Sequence, residues 1–331
     1  MNATTIGRIL QKYNIQYAKI HTPQKGYRNE SYKIETIDGQ TLNLILFKSE
    51  EGILERIKRA NAASEYSSNS DLPVRTLYRK DILSLKANNF LQYAALYNYL
   101  PGSTIPWEAY TKNHIKLLGK TLSDLHYRLK DCPLELPSVA NEYLALNNLM
   151  KSYFTNKGVI KASRNKLQIN VPIAIFDYLQ NVLTVCNKLP DQQPLHMDFV
   201  RGNILFGSSK LHEDYSIGDA HLSGVIDFEK TGKGHPLLDI ARTLAFLLVD
   251  CKFKSEDKVR KYFLRSGYHK RGAQHLTLLN IQNKSLLEDL VNLFLLYDLY
   301  KFMSHNPYES LKDNEHYCRT RDLLTARAVL V

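Results

Sequence analysis

The sequence predicts an α+β chain in two unequal parts, an antiparallel sheet with one helix followed by a larger, mainly helical segment. Three observations carry this expectation. Two runs of strand-forming residues, Tyr32–Ile37 and Thr41–Lys48, flank Asp38-Gly39, a strong hairpin-turn signal. Further on, Ile115, Leu118, Leu122, Leu125 and Leu129 recur at the three- and four-residue spacing of an amphipathic helix. Between the two patterns, Pro101-Gly102 ends the strand-rich block.

Taken in order, residues 16–48 read as strands, and Gly52 to Ser68 reads as a helix, with Pro73 marking its exit. Strands are expected around Val74–Tyr78 and Phe90–Tyr99. Helical patterns return near 140–155, 174–188 and 285–305, the last carrying Leu286, Leu290, Leu293, Leu296 and Tyr297 on one side. Two short apolar strands, Asn203–Phe206 and Gly224–Phe228, lie between them. The shift in pattern places a boundary near residue 100, giving domains of 1–100 and 101–331.

At 331 residues the chain can form one large or two medium cores. Its N-terminus alternates polar and apolar residues, and the run Leu244–Val249 is far too short to span a bilayer. A cytoplasmic protein without a membrane partner is expected. Cys132, Cys186, Cys251 and Cys318 are scattered with no CxxC pair, so reduced structural thiols are expected. The net charge of +11 is spread along the chain rather than clustered, and no nucleic-acid motif accompanies it. An anionic small ligand accounts for the basicity, and no nucleic-acid partner is expected.

The chemistry concentrates in His196-Met197-Asp198-Phe199-Val200-Arg201-Gly202-Asn203, which runs into an apolar strand, and in Val225-Ile226-Asp227-Phe228-Glu229. Phosphoryl transfer asks the protein mainly for positioning and for neutralisation of phosphate charge. An aspartate beside the acceptor hydroxyl orients it and takes its proton. An asparagine and a second aspartate, both hard oxygen donors, suit magnesium. Either aspartate alone would be an ordinary turn cap or strand end; the joint spacing points to function.

This pattern resembles the aminoglycoside phosphotransferase and choline kinase superfamily, relatives of the protein kinases. The resemblance is carried by His196, Asp198, Asn203, Ile226, Asp227, Phe228 and Glu229, and it continues through Gly234-His235-Pro236-Leu237-Leu238-Asp239-Ile240-Ala241. It implies a two-lobed protein-kinase-like fold and a kinase using ATP (or GTP) and Mg2+ to phosphorylate a small-molecule alcohol. Asp198 would be the base, supported by His196, with Asn203 and Asp227 holding the metal. Arg201 either approaches the transferred phosphate or is solvated. Gly26, Asn29 and Ser31 match the family's phosphate-covering loop, and Lys48 stands where the phosphate-binding lysine is found. Its glutamate partner is open among Glu65, Glu55 and Glu51, with Glu65 the first choice. Tyr97 and Tyr99 lie in the segment resembling the hinge that meets the nucleotide base.

Within the same resemblance, His126 reads as a buried structural histidine and Asp239 as an anchor for the catalytic loop. The segment Gly207–Ser223, with His212, Glu213, Asp214, Asp219 and His221, is long for its hairpin and reads as a solvated insertion rather than a metal site. No Ala-Pro-Glu segment is present, which disfavours a protein kinase. A nucleotide-binding module without turnover is disfavoured by the intact Lys48, Asp198, Asn203 and Asp227. Glu288, Asp289 and Asp298 lie on one helix, where Glu288 and Asp289 read as a solvated face more readily than as a cleft for a polycation. The acceptor and the choice of monomer or homodimer stay open.

Overall fold

The computed structural model describes residues 3–25, 29–68, 72–87, 90–208, 212–271 and 281–331. The first part is a six-stranded antiparallel sheet: β1 (Tyr17–Ile20), β2 (Gln24–Lys25), β3 (Glu30–Thr36), β4 (Thr41–Phe47), β5 (Leu83–Ala87) and β6 (Phe90–Asn98). The main path runs β1-β3-β4-β6-β5, with β2 paired to β3. Asp38-Gly39 makes the β3–β4 turn as expected, and Gly39 supplies the left-handed φ of 82° that the turn needs.

Alternation sends the two faces of β4 to different helices. Leu42, Leu44 and Leu46 pack under α1 (Ala3–Lys12), against Ile6, Ile9, Leu10 and Tyr13. Ile45 and Phe47 face α2 (Ile53–Ser67), against Ile53 and Ile57. The α1 helix was not anticipated. Its apolar residues occupy barely three turns, too short for their spacing to stand out, and burial against the sheet stabilises it.

The expectation of a strand at Val74–Tyr78 is corrected. Beside Pro73 this stretch makes only isolated bridges, Val74 to Val225 and Leu77 to Tyr97. The ladder position is filled by β5, whose Leu83-Ser84-Leu85-Lys86-Ala87 alternates cleanly enough to have been recognised.

The larger part comprises α3 (Lys112–Leu129), α4 (Val139–Thr155), α5 (Lys157–Ala162), α6 (Ala174–Lys188), α7 (Leu237–Asp250), α8 (Glu256–Arg260), α9 (Ile281–His305), α10 (Tyr308–Leu311) and α11 (Glu315–Ala326). Five short strands, β7 (Gln193–Leu195), β8 (Ile204–Phe206), β9 (Ser216–Ile217), β10 (Ala220–Val225) and β11 (Gly232–Gly234), lie among the helices. Helix α7 is almost wholly buried, with Ile240, Ala241, Leu244 and Ala245 at 0% exposure, and forms the centre of the core beside α9. The four cysteines are free thiols. No helix among the described residues is long and apolar enough to cross a membrane.

The segment after Gly207 is not simply a solvated insertion. Its described residues form a 3-10 turn and the β9–β10 hairpin, with Tyr215 fully buried and Asn113 of α3 donating to Asp219 at 2.8 Å. Among the described residues there is no cluster of three potential His, Cys, Asp or Glu ligands.

Candidate active site

The loop between β7 and β8 is held from below by one carboxylate. Asp239, in the first turn of α7 and completely buried, accepts the backbone N–H of His196 at 2.8 Å and of Met197 at 3.0 Å. The His126 ring lies 3.2 Å from the same carboxylate and 2.7 Å from the Tyr268 hydroxyl. These bonds hold Met197 in a left-handed conformation, φ 59°, that a side-chain-bearing residue adopts only when its surroundings impose it. Asp227, at φ 63°, turns the chain in the same way just after β10, so both candidate aspartates lie at or beside tight corners. The expected strand Gly224–Phe228 therefore ends earlier, at Val225.

Asp198 is brought into contact with three groups. The His196 ring nitrogen accepts the Asp198 N–H at 3.2 Å, Asn203 Nδ2 donates to the Asp198 carboxylate at 3.0 Å, and Lys230 Nζ lies 2.8 Å from it. Burial works against the charge of Asp198, but Lys230 outweighs it and the carboxyl sits below its usual range. It is therefore ionised throughout the neutral range. His196 is fully buried, its ring 4.5 Å from that of Phe228, and desolvation lowers its pKa. It stays neutral and braces the loop.

Asn203 ends a 3-10 turn, and its carbonyl accepts the N–H of Ile226 at 2.9 Å, which ties it to the Asp227 corner. With Nδ2 committed to Asp198, the Asn203 amide oxygen and the Asp227 carboxylate are the hard oxygen donors at this corner, the kind that magnesium takes. Glu229 lies beside them. Burial, then the Asp227 charge, raises its pKa, and Asn29 donates to it at 2.7 Å. Asn29 also accepts the Lys48 N–H at 3.2 Å, so one side chain links the start of β3, the end of β4 and Glu229 beside the Asp227 corner.

The nucleotide-side residues are less tightly arranged. Gly26 lies outside the described residues. The Ser31 hydroxyl is engaged within the sheet, accepting from Asn43 at 2.8 Å. Lys48 follows β4 and is exposed, while Phe47 is the residue the strand turns toward α2. None of the three candidate glutamates pairs with Lys48. Glu65 accepts the Leu77 N–H at 3.0 Å, Glu55 pairs with Lys58 at 2.8 Å, and Glu51 is exposed. Tyr97 is buried, its hydroxyl 2.9 Å from Asn61, and Tyr99 lies past the end of β6 with Lys33 over its ring at 5.3 Å. Arg201 is drawn away from Asp198 to the end of α7, where it meets Asp250 at 3.4 Å.

Two cations escaped sequence reasoning. Arg75 projects into the cavity between the two parts, which is lined by Phe47, Asn61, Tyr97, Phe228 and Glu229, with its guanidinium 4.6 Å from the Tyr97 ring centre. Lys230, next to Glu229, was a lone turn lysine in the sequence; only its contact with Asp198 reveals it.

The model of the phosphotransferase enzyme family matches residues 19–269. The chain belongs to that family. This phosphotransferase is similar in fold to an amicoumacin kinase solved with AMP-PNP, Ca2+ and amicoumacin, at 16% identity over 99% of this chain and 96% of that one, TM-score 0.69. It is also similar to a microcompartment-associated aminopropanol kinase, at 17% identity over 98% of each chain, TM-score 0.67. A third likeness is to choline kinase from Cryptosporidium parvum, at 11% identity over 99% and 98%, TM-score 0.60. At these identities the likeness establishes the two-lobed kinase-like fold. No curated protein sequence matches this phosphotransferase at a significant level.

Proposed function

We propose that this phosphotransferase moves the γ-phosphate of a nucleoside triphosphate, ATP (or GTP), to a hydroxyl of a small molecule in a Mg2+-dependent reaction. The observation that carries the reading is that Asp198, Asn203 and Asp227 lie at two corners, the first anchored by Asp239 and the second tied to it through the Ile226 N–H and the Asn203 carbonyl. In this reading residues 1–100 and 101–331 are the two lobes, with the nucleotide between them. Complexes of similar structures with AMP-PNP and Ca2+ support a nucleotide donor with a divalent cation.

Asp198 orients the acceptor hydroxyl. The acceptor oxygen bonds to the γ-phosphorus as the bond to the bridging oxygen breaks, the electron pair leaving with the nucleoside diphosphate. The hydroxyl proton passes to the Asp198 carboxylate. A carboxylate this weakly basic takes the proton late, which suits a loose phosphoryl transition state. Lys230 keeps Asp198 ionised and adds positive charge beside the transferred group. Arg75 and Lys48 supply cations on the nucleotide side. Magnesium held by Asn203 and Asp227 would supply charge neutralisation for the phosphates.

The test is nucleotide consumption by the purified chain with Mg-ATP across a panel of small alcohols, with Asp198→Ala as the control. Acceptor-stimulated turnover absent from the control supports the reading. Nucleotide binding with no turnover on any acceptor would favour a binding module instead.

A further inference from the structure

The wall beside Asp198 is built from α7 and α9, and its charges are distributed unevenly with depth. Thr243 of α7 donates to the carbonyl of Phe199 at 3.1 Å, fixing this helix to the catalytic loop. The neighbouring Arg242 is fully buried and reaches Asp298 of α9 at 3.3 Å, with its Nε left without a partner among the described residues. Lys301, one turn along α9, holds Asp298 at 2.7 Å and lies 4.7 Å from the Tyr297 ring centre.

The two carboxylates of this wall are the recessed groups. Side-chain exposure is 15% for Asp198 and 11% for Asp298, against 43% for Lys230 and 39% for Lys301. Each carboxylate already has a cation, and Asp298 has two. Lys301 and Lys230 are close enough to repel each other. The other α9 acids are also committed: Glu288 pairs with Arg260 at 2.5 Å and Arg327 at 3.2 Å, and Asp289 accepts from Tyr178 at 2.8 Å. Both carboxylates of this wall, Asp198 and Asp298, are therefore already paired with cations, while Asp289, about two and a half turns back along α9, meets only a neutral hydroxyl.

We infer that the acceptor is a carboxylate-bearing alcohol, whose carboxylate sits against Lys301 and whose hydroxyl points to Asp198. The inference rests on the proposed phosphoryl transfer and names its substrate class. The products are the O-phosphorylated hydroxy acid and the nucleoside diphosphate, with the hydroxyl proton released through Asp198. Lys301 would then be a specificity-determining residue, because desolvation on ligand entry strengthens its pairing with a carboxylate.

A matched pair of probes tests this: glycerate and 3-amino-1,2-propanediol, similar in size, both bearing adjacent hydroxyls and opposite in charge. Binding of each to the full chain is measured in the presence of Mg-AMP-PNP, and turnover of each with Mg-ATP. Glycerate is expected to bind about tenfold tighter than the amine, a ratio typical of one charge-assisted contact. Lys301→Met, which leaves Asp298 its Arg242 partner and so preserves the fold, should abolish that preference. Equal binding, or preference for the amine, overturns the inference. So does a preference that survives Lys301→Met. Turnover of the amine alone sinks the acceptor class while leaving phosphoryl transfer standing; failure to bind Mg-AMP-PNP at all sinks the phosphoryl-transfer reading itself and this inference with it.

Discussion

The two sides of the cleft are held by different means. Below, the catalytic loop is over-determined: Asp239 alone receives two backbone N–H groups and lies against His126, all at zero exposure. Above, the side proposed to take the nucleotide offers an exposed Lys48, a half-buried Arg75 and the single Asn29 side chain. The chemistry tolerates little displacement where a proton and a phosphoryl group move together. Phosphates, by contrast, can be gripped by flexible cations once they arrive. The contrast teaches that rigidity is invested around Asp198 rather than on the upper side.

Substitutions can break or sharpen that contrast. The largest effect is expected from Asp198→Ala, which should lower turnover roughly a hundred- to ten-thousandfold while leaving nucleotide affinity nearly intact, read by steady-state kinetics and calorimetric titration. Next, Asp239→Ala should destabilise the fold by about 3 kcal/mol or more, since two buried N–H groups lose their acceptor; urea denaturation measures it. A small effect there would mean that the loop is held by something other than this carboxylate.

Lys230→Met should slow turnover about tenfold, and should also raise the pKa of Asp198 by removing the charge that depresses it. The acidic limb of the kcat profile should therefore move to higher pH. The same linkage fixes the stability trend. A carboxyl held low in the folded chain stabilises it above the unfolded pKa, and that contribution is lost as pH falls through the folded value. In Lys230→Met the folded value moves back toward the unfolded one, so this contribution, and the stability lost on acidification, should be smaller than in the wild type.

On the upper side, Arg75→Met should weaken nucleotide binding about tenfold and Lys48→Met by less, because the half-buried guanidinium pays less ordering cost than the exposed ammonium. The reverse order would restore Lys48 as the principal phosphate contact. The smallest effect is expected from Asn29→Ala, about a threefold rise in the KM for nucleotide, from loosening the link to Glu229.

The motif residues were legible because their geometry is local. Asp198 and Asn203 are five residues apart within one loop, and Asp227 lies two residues past β10, the strand that pairs with β8, so their spacing constrains them. The β3–β4 hairpin and the long C-terminal helices were legible for the same reason. Less legible were α1, whose apolar face is short, and β5, whose place in the ladder was assigned to the stretch after Pro73.

The sequence by itself determined the α+β arrangement, the phosphotransferase pattern and the spacing of Asp198, Asn203 and Asp227. Only the tertiary structure decided which charges meet there. Lys230 reaches Asp198 across 32 positions, Arg75 lines the cavity beside Glu229, and Lys301 shares Asp298 with Arg242. Hydrogen-bonded turns follow from neighbouring residues, whereas ion pairs depend on which distant backbones packing brings within a few ångströms. No spacing rule in the sequence encodes that.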